Sequence, residues 1–444
     1  MREGRRIAFG TDGVRGVANE TLMPEDALRL GLVAARLFGG PIVVGRDTRL
    51  SGRMLSAALA SGVASGGTEV VDVGVLPTPG IAALAREHGA AAAVVVSASH
   101  NPYPDNGIKF FSGEGRKLPS SAERELERLV GEPYTARPTG NGIGAMSRLD
   151  RPPERYAESV LGRLRPRVEG LKVLLDCAHG AAYEVAPLAF ERLGVDLTVV
   201  GDEPTGTNIN EGVGSTHVEK LDAAGQDVAF AFDGDADRVL AVDEKGRVVD
   251  GDRIVAILAR DLEERGALRG GVVVTVMSNL GFFKAMEGLE IDYEVTPVGD
   301  RHVAETMVRL RAALGGEQSG HVILSEHATT GDGLVTALAI LDVMARSGKP
   351  LSELAEVMDH YPQALINVPV EDRAVASSGT VKEAVVKAEE RLGGEGRILL
   401  RPSGTEPLVR VMVEHEDEMV CREVCEEVAS VVASGSRSGS EVRA

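Results

Sequence analysis

The chain has 444 residues, of which 43% are hydrophobic and 26% are charged, and its formal net charge is −19. This composition is typical of a globular protein, and the length favours three or four domains of about 150 residues each. Such an acidic chain should repel nucleic acid and anionic membranes, so we expect neither as a partner. An anionic small substrate would have to be bound by a few cations placed inside a cleft.

No stretch of the sequence has the character of a membrane anchor or an export signal. The apolar runs are shorter than the about 18 residues that a membrane helix needs. The first residues lead into a glycine-rich motif without the apolar core of a signal peptide. The three cysteines, Cys177, Cys421 and Cys425, are too few for a disulfide framework and lack the spacing of a zinc site. We therefore expect a cytoplasmic protein.

Short β-branched runs alternate with amphipathic helical stretches, which favours βαβ units and largely parallel sheets. The first such pattern predicts a strand at residues 41–45, a helix at 54–65 and a strand at 68–73. The pattern restarts at residues 171–176 and again at residues 271–275. We predict an α/β fold in which three similar domains with mixed or parallel sheets are joined by a smaller C-terminal α+β domain around a central cleft.

The predicted domains are separated by polar or Gly/Pro-rich stretches, and they cover residues 1–150, 151–250, 251–365 and 366–444. In the last domain the predicted strands are residues 365–370, 397–400 and 408–414, and the predicted helices are residues 380–392 and 418–432. Each domain contains a strand that runs into a polar, glycine-rich loop. Ligands of open α/β sheets bind beside such strand ends, so the four loops are candidate walls of one site.

The first loop is SASHNP, residues 97–102, and it follows a predicted strand at residues 93–96. Ser99 and His100 are adjacent, but neighbouring side chains point to opposite faces of extended backbone, which argues against a nucleophile paired with its base. In isolation, Ser99 and Asn101 could equally satisfy the backbone of a turn, and Lys109 could be a surface lysine. This loop alone does not decide between a site and a turn.

The second loop carries Asp233, Asp235 and Asp237 after a predicted buried strand at residues 228–232. In extended backbone these three carboxylates point to one side, about 6.6 Å apart, and a curved loop can bring them onto one cation. Without a cation they would repel one another and raise one another's pKa. Hard oxygen ligands favour Mg²⁺ over Zn²⁺. The sequence therefore predicts a magnesium site, and an acidic solvated turn is the alternative.

The third and fourth loops have the composition of ligand-binding turns. Residues 315–321 (GGEQSGH) place short polar side chains between glycines, which suits hydrogen bonds to a sugar, although a tight turn would look the same. Residues 401–407 (RPSGTEP) and Arg410 offer backbone N–H groups, two hydroxyls and two guanidinium groups. That combination is typical of a phosphate site, and a structural loop is the alternative.

These motifs resemble those of one known family. The segments FGTDGVRG (residues 9–16), SASHNP, DGDADR (233–238), GEQSGH (316–321) and RPSGTEP occur in the order found in the α-D-phosphohexomutases, and the match spans almost the whole chain. FGTDGVRG and GEQSG resemble the bacterial-type phosphoglucosamine mutases more than the phosphomannomutase/phosphoglucomutase group, whose third loop usually reads GEMSG. The resemblance implies four domains around a deep cleft.

The resemblance also implies a role for each motif. Ser99 matches the serine that carries the transferable phosphoryl group, and the implied Mg²⁺ ligands are Asp233, Asp235 and Asp237 together with phosphorylated Ser99. The other residues assigned to catalysis are Lys109 as the expected proton acceptor, Arg15, Arg238 and His321. The residues assigned to substrate binding are Glu317 and Ser319 for the sugar hydroxyls and Arg401, Ser403, Gly404, Thr405 and Arg410 for the distal phosphate.

The implied reaction interconverts glucosamine 6-phosphate and glucosamine 1-phosphate, as part of the synthesis of amino-sugar nucleotide precursors. It proceeds through a phosphoserine enzyme and a hexosamine 1,6-bisphosphate, with one Mg²⁺ per chain and the bisphosphate as intermediate and activator. A homodimer is compatible with these features. Three alternatives stay open: a phosphomannomutase/phosphoglucomutase, a sugar phosphatase that uses Asp233 as an aspartyl nucleophile, and a non-catalytic sugar-phosphate sensor.

Three positions depart from the usual family pattern. Ala236 stands where glycine is common, so a positive φ at this position would be strained. His179 and His302 replace a frequent asparagine and a frequent tyrosine. Neither histidine is among the residues implied in the chemistry.

Overall fold

The computed structural model describes residues 7–10, 12–132, 136–403 and 407–441, with side chains described as far as residue 436. Two compact units emerge from the contacts within the chain. The first contains Met1–Met277 and Glu290–Val357, and the second contains Ser278–Leu289 and Met358–Ala444. The larger unit holds three α/β sheets, and the smaller unit holds an antiparallel sheet covered by helices.

The first sheet has six strands in the order β1-β5-β4-β2-β3-β6. Its elements along the chain are β1 (Val14–Val17), α1 (Pro24–Phe38), β2 (Ile42–Arg46), α2 (Leu50–Ser65), β3 (Val70–Val75), α3 (Thr78–Glu87), β4 (Ala92–Val96), β5 (Asp105–Ser112), α4 (Ser120–Val130) and β6 (Met146–Arg148). Strands β4, β2, β3 and β6 run parallel, whereas β5 is antiparallel to both β4 and β1. Helices α1 and α2 pack closely at Gly31 and Gly62, where a Cβ atom would lie within 2.1 Å of a carbonyl oxygen of the other helix.

The second sheet has five strands in the order β11-β10-β9-β7-β8. Its elements are α5 (Pro152–Arg163), β7 (Lys172–Asp176), α6 (Val185–Glu191), β8 (Asp196–Val200), β9 (Val228–Phe232), β10 (Val239–Asp243) and β11 (Val248–Val249). Strands β8, β7 and β9 are parallel, and β10 returns antiparallel to β9. Every residue of β9 and β10 is buried, which explains why both strands are almost continuously apolar.

The third sheet has four strands in the order β13-β12-β14-β15. Its elements are α7 (Gly251–Glu264), β12 (Val272–Thr275), α8 (Leu280–Gly288), β13 (Tyr293–Thr296), α9 (Asp300–Leu310), β14 (Leu314–Gly316), β15 (Val322–Leu324), α10 (Gly333–Ser347) and α11 (Leu351–Leu354). Strand β14 is parallel to β12, and β15 is antiparallel to β14. Helix α8 belongs to the smaller unit, where the Glu414 carboxylate accepts a hydrogen bond from the Leu280 backbone N–H.

The smaller unit contains a three-stranded antiparallel sheet in the order β16-β18-β17. Its remaining elements are β16 (Gln363–Pro369), α12 (Gly379–Leu392), β17 (Gly396–Pro402), β18 (Leu408–His415) and α13 (Glu418–Glu441). Alternate residues of β18, among them Val409, Val411 and Val413, are buried against the helices. Together with the three α/β sheets, this small domain confirms the predicted fold class. The domain ranges drawn from the sequence stay predictions.

The three α/β sheets present their polar loops at one equivalent position. In each sheet the loop joins the strand at one end of the parallel set to the antiparallel strand beside it. These pairs are β4 and β5, β9 and β10, and β14 and β15. The strand before the third loop is short, because helix α9 continues to Leu310 and only Leu314–Gly316 form a strand. Within the described ranges, no helix is both long enough and apolar enough to cross a membrane.

Candidate active site

The first loop holds Ser99 in an unusual backbone conformation. Ser99 is buried and has φ 52°, in the left-handed region that few residues other than glycine adopt. Its hydroxyl donates a hydrogen bond to Asp233 Oδ2 at 2.6 Å and lies 3.3 Å from His100 Nδ1. The expectation that Ser99 and His100 point apart is therefore wrong, because it assumed an extended backbone at Ser99.

The second loop brings the three predicted aspartates together directly after β9. Asp233, Asp235 and Asp237 are all buried, and each offers a carboxylate oxygen such that the three atoms lie within 4.8 Å of one another. Ala236, which lies between Asp235 and Asp237, has φ 53°. The strained positive φ considered in the sequence analysis is therefore present. The loop therefore curves as the convergence of three carboxylates requires.

The pKa values of the three carboxyl groups are shifted in different directions. Burial, followed by the negative charges of Asp237 and Asp235, raises the pKa of Asp233 well above its usual value. Burial and the charge of Asp235 likewise raise the pKa of Asp237. Burial also opposes ionisation of Asp235, but the Lys109 ammonium and the Thr78 hydroxyl outweigh it and lower its pKa. A cation bound among these groups would favour all three ionised forms.

The cluster has the donor set of a site for a hard divalent cation. Among the described residues, Asp235 Oδ1 and Asp237 Oδ1 are buried without a hydrogen-bond partner. Buried carboxylate oxygens are normally paired, so two unpaired ones at the centre of an acidic cluster point to a bound ion. Oxygen ligands alone, with neither cysteine nor histidine in the triplet, suit Mg²⁺. This buried acidic cluster can hold a metal ion.

Lys109 projects from β5 into the same cluster. Its Nζ lies 2.8 Å from Asp12 Oδ2 and 2.9 Å from Asp235 Oδ2. Burial would lower the pKa of Lys109, but the carboxylates of Asp12 and Asp235 more than offset this effect and raise it. Lys109 is therefore an ammonium group that can stabilise a phosphoryl group. The proton-acceptor role that the resemblance implies for Lys109 stays a prediction.

Two arginines from different loops lie beside the acidic groups. The Arg15 guanidinium donates hydrogen bonds to Asp12 and, at 3.1 Å, to Asn101 Oδ1. Arg238 follows the aspartate triplet, and its Nε lies 3.8 Å from Asp237 Oδ1. Burial would lower the pKa of Arg238, but Asp237 and Asp233 raise it. Within the described residues, the Nε groups of both arginines are buried without an acceptor, so each has a donor available for an anionic ligand.

The third loop reaches the same region through His321 and Glu317. The buried His321 ring has its Nε2 3.7 Å from Asp300 Oδ2, and Asp237, Asp300 and His321 form a second compact group of side chains. Glu317 Oε1 accepts a hydrogen bond from the Gly299 backbone N–H at 3.1 Å. Ser319 Oγ has no partner among the described residues. The structure therefore brings three of the four predicted loops together in the larger unit.

The fourth loop lies in the smaller unit. Arg401 on β17 and Arg410 on β18 are direct cross-strand partners, and the pKa of Arg401 is lowered by burial and by the charge of Arg410. Like charges placed opposite each other on a sheet are unfavourable unless an anion offsets them. Ser403 is buried next to this pair, and its carbonyl accepts a hydrogen bond from Arg373. Gly404 and Thr405 lie outside the described residues.

Comparisons with known proteins agree with this arrangement. The phosphoglucomutase/phosphomannomutase families match four successive parts of the chain: alpha/beta/alpha domain I at residues 6–136, domain II at 154–246, domain III at 250–361 and the C-terminal domain at 365–431. The phosphoglucosamine mutase of Rubrobacter xylanophilus is 71% identical over 95% of this chain and 96% of its own length. The chain belongs to the phosphoglucosamine mutase group of this family.

Solved structures of the family have the same fold. A phosphoglucomutase/phosphomannomutase family protein from Burkholderia thailandensis superposes with a TM-score of 0.78 at 24% identity, over 96% of this chain and 97% of that one. The N-acetylphosphoglucosamine mutase of Aspergillus fumigatus gives a TM-score of 0.74 at 19% identity, over 98% of this chain and 97% of that one. At these identities the likeness extends to the fold alone.

Several residues at this phosphoglucosamine mutase site were not singled out from the sequence. Lys117 pairs with both Asp12 and Asp300, and thereby joins the first sheet to helix α9. Thr78 donates to Asp235 Oδ2 at 2.6 Å. The motif FGTDGVRG contained the signal for Asp12, which is its only carboxylate. Lys117 and Thr78 stand in no recognisable pattern.

Proposed function

We propose that the chain interconverts glucosamine 6-phosphate and glucosamine 1-phosphate by passing a phosphoryl group through Ser99. The observation that supports this proposal is the 2.6 Å hydrogen bond from Ser99 Oγ to Asp233, because a hydroxyl group there lies next to a buried cluster of three carboxylates. The 71% identity to the phosphoglucosamine mutase of Rubrobacter xylanophilus supports the choice of the amino sugar.

In the proposed reaction, phosphorylated Ser99 donates its group to a hydroxyl of the sugar monophosphate. The bond from phosphorus to Ser99 Oγ breaks, a bond to the sugar oxygen forms, and overall one proton passes from the sugar hydroxyl to Ser99. The resulting 1,6-bisphosphate reverses its orientation, and its other phosphate returns a phosphoryl group to Ser99. The bisphosphate can thus also serve as the activator that first phosphorylates the enzyme.

The residues around Ser99 divide the work of phosphoryl transfer, which consists mainly of positioning and charge stabilisation. Asp233, Asp235 and Asp237 would hold one Mg²⁺, which when bound neutralises charge on the phosphoryl oxygens. Further positive charge comes from Lys109 beside Asp235, from Arg238 beside Asp237 and from Arg15, which pairs with Asp12. We also assign His321 to catalysis, because this residue of the third loop lies beside Asp237.

Substrate recognition is proposed to involve the third and fourth loops. Glu317 and Ser319 would bind sugar hydroxyls, because both lie in the loop that carries His321. Arg401, Ser403, Gly404, Thr405 and Arg410 would bind the phosphate that is not being transferred. The pairing of Arg401 with Arg410 supports this assignment, since an anion would relieve the repulsion between them.

Other properties are proposed on narrower grounds. The N-acetylphosphoglucosamine mutase of Aspergillus fumigatus was solved with GlcNAc-6P and magnesium, which favours Mg²⁺ as the ion here. All three cysteines are free and buried, as suits a reducing cytoplasm. We propose that the four domains cover residues 1–150, 151–250, 251–365 and 366–444. We also propose a homodimer, which a measurement of the oligomeric state would test.

The two alternatives from other functional classes fit the site poorly. A phosphatase with Asp233 as nucleophile would leave Ser99 and the fourth loop without a role, although the Ser99 hydroxyl donates directly to Asp233 Oδ2. A sugar-phosphate sensor would need neither the serine nor the acidic triplet. Both features are assembled here in one buried cluster.

A coupled assay of the purified enzyme with Mg²⁺ tests the proposal. We expect kcat/KM to be higher for glucosamine 1-phosphate than for glucose 1-phosphate or mannose 1-phosphate, with no release of inorganic phosphate. A higher kcat/KM for either of the other sugars would assign the chain to the phosphomannomutase/phosphoglucomutase alternative. Release of phosphate without isomerisation would identify a phosphatase.

A further inference from the structure

Arg49 is a fully buried arginine between β2 and α2. Its side chain and that of Asp47 are both 0% exposed, and its Nε donates to Asp47 Oδ2 at 2.8 Å. A buried charge is tolerated only when it is paired and hydrogen-bonded, so this arginine needs a specific set of acceptors. Asp47 supplies the first of them.

The remaining four N–H groups of the Arg49 guanidinium bind the backbone of the Ser99 loop. One terminal nitrogen donates to the carbonyls of Pro102 and Asp105, and the other donates to the carbonyls of Ser99 and Asn101, both at 2.8 Å. A guanidinium has five N–H donors in a fixed plane, and all five are used here. Arg49 therefore forms the centre around which the loop folds.

The same pair also fixes the other side of the Ser99 peptide. Asp47 Oδ2 accepts a hydrogen bond from Ser97 Oγ at 2.7 Å, and Ser97 Oγ in turn accepts one from the Ser99 backbone N–H at 2.9 Å. The Ser99 C=O is thus bound to Arg49 directly, and the Ser99 N–H is connected to Asp47 through Ser97 Oγ. These bonds can maintain the left-handed conformation of Ser99, which is unfavourable by itself.

A second donor reaches the loop from the other side. Asn210 Nδ2 donates to the carbonyls of Ser99 at 3.0 Å and of Asn101 at 3.2 Å, which are the two carbonyls that the Arg49 terminal nitrogen also binds. Asn210 belongs to the segment between β8 and β9, and β9 ends at the aspartate triplet. Both donors therefore hold the serine loop in a defined position relative to the carboxylates.

We propose that Arg49, acting through Asp47 and Ser97, is a positioning residue that sets the orientation of the Ser99 hydroxyl for phosphoryl transfer. This inference rests on the proposed function, in which Ser99 carries the phosphoryl group. Arg49 bonds to backbone carbonyls and to Asp47, so it acts on the geometry of the nucleophile. Lysine cannot replace it, because an ammonium has three donors and lacks the planar fork.

The test measures how fast Ser99 is phosphorylated when dephosphorylated enzyme is mixed with glucose 1,6-bisphosphate, by quenching and intact-protein mass spectrometry. Arg49→Lys should slow this step by about a hundredfold and Ser97→Ala by about tenfold, because small misplacements of a reacting atom have large effects on rate. Mg²⁺ affinity, measured by calorimetry, and KM for glucosamine 6-phosphate should change by less than about threefold. Arg53→Lys, at an exposed position of α2, is the matched control and should behave as wild type.

Each outcome separates this inference from the proposed function. A wild-type enzyme that neither gains a phosphate at Ser99 nor isomerises glucosamine phosphates contradicts the proposed function. A normal wild type together with folded Arg49→Lys and Ser97→Ala variants that are phosphorylated at wild-type rates overturns the positioning role alone. If Arg49→Lys does not fold, Ser97→Ala decides, because it leaves the Asp47–Arg49 pair intact. Equal loss of Mg²⁺ affinity and phosphorylation would indicate general disruption of the site and would also overturn the proposal.

Discussion

The Ser99 hydroxyl donates a 2.6 Å hydrogen bond to Asp233, although the two residues are 134 positions apart and lie at the ends of strands in different sheets. The proposed nucleophile therefore lies directly beside the acidic cluster. For phosphoryl transfer this matters because the reaction depends on placing the acceptor oxygen against a charge-stabilising site.

Replacing Ser99 with alanine should remove the phosphoryl acceptor while leaving the fold intact. We expect Ser99→Ala to lose at least about a thousandfold in kcat, since no other hydroxyl donates to Asp233 among the described residues. Intact-protein mass spectrometry should find one phosphate on part of the wild-type molecules and none on the variant. Ser61→Ala, at an exposed position of α2, serves as the control. A Ser99→Ala enzyme with normal turnover would exclude the proposed mechanism.

Removing the metal should abolish activity and should leave the protein folded. EDTA should stop turnover and added Mg²⁺ should restore it, whereas Zn²⁺ should support little activity because it prefers a tetrahedral ligand shell. Asp235→Asn should weaken Mg²⁺ binding by at least about tenfold, since a carboxylate ligand becomes a neutral amide. Calorimetric titration measures the affinity. Asp196→Asn, on the exposed side of β8, should bind Mg²⁺ normally, and equal affinities for both variants would assign the triplet to a turn without a metal.

The chemistry-bearing loops could be predicted because each combines a local pattern with its place after an apolar strand. Asp233, Asp235 and Asp237 follow five buried residues of β9, and their spacing required convergence on one side. The possible strain at Ala236 was also visible, since the sequence has a Cβ where the family has glycine. Its φ of 53° shows that the loop adopts that conformation nevertheless.

The parts that escaped prediction depend on backbone conformation and on long-range contacts. The proximity of His100 to Ser99 follows from a positive φ at a serine, which no local pattern indicates. Burial, then Arg238 and Arg15, lower the pKa of His100 to about 4, so its ring is neutral at pH 7. Arg49 and Asn210 were missed because a buried arginine and a loop asparagine resemble surface residues until the fold supplies their acceptors.

Replacing Glu317 should affect every hexose phosphate. Glu317 accepts a hydrogen bond from the Gly299 backbone N–H, and the proposed function assigns it to hydroxyls that glucose and glucosamine share. The loss of such a contact typically costs about 1–3 kcal/mol, so Glu317→Ala should lower kcat/KM by about 5- to 150-fold for both sugars. The coupled assay measures both substrates. Glu326→Ala, at an exposed position after β15, is the control, and a loss confined to one sugar would contradict the assignment.

The last prediction concerns stability and Asp332, a fully buried carboxyl group outside the acidic triplet. Asp332 caps helix α10 by accepting from the Val335 backbone N–H at 3.0 Å, and it accepts from the Tyr156 hydroxyl at 2.6 Å. These bonds favour the ionised form, but burial is the larger effect and raises its pKa from 3.8 to about 6. The folded protein therefore holds a proton on this group at pH values where the unfolded chain has lost it.

It follows that the contribution of Asp332 to stability is fully present below about pH 4 and is lost as the pH rises through about 6. The full difference corresponds to about 3 kcal/mol. Asp332→Asn keeps an acceptor for the helix cap and does not titrate. Its Tm relative to wild type should therefore rise between pH 4.5 and pH 7.5, because this range spans the wild-type pKa of about 6. Differential scanning fluorimetry over this range measures the trend, with Asp222→Asn at an exposed position as the control. A Tm difference between Asp332→Asn and wild type that stays constant across the range would show that Asp332 is ionised throughout, and that Tyr156 and the helix cap compensate for its burial.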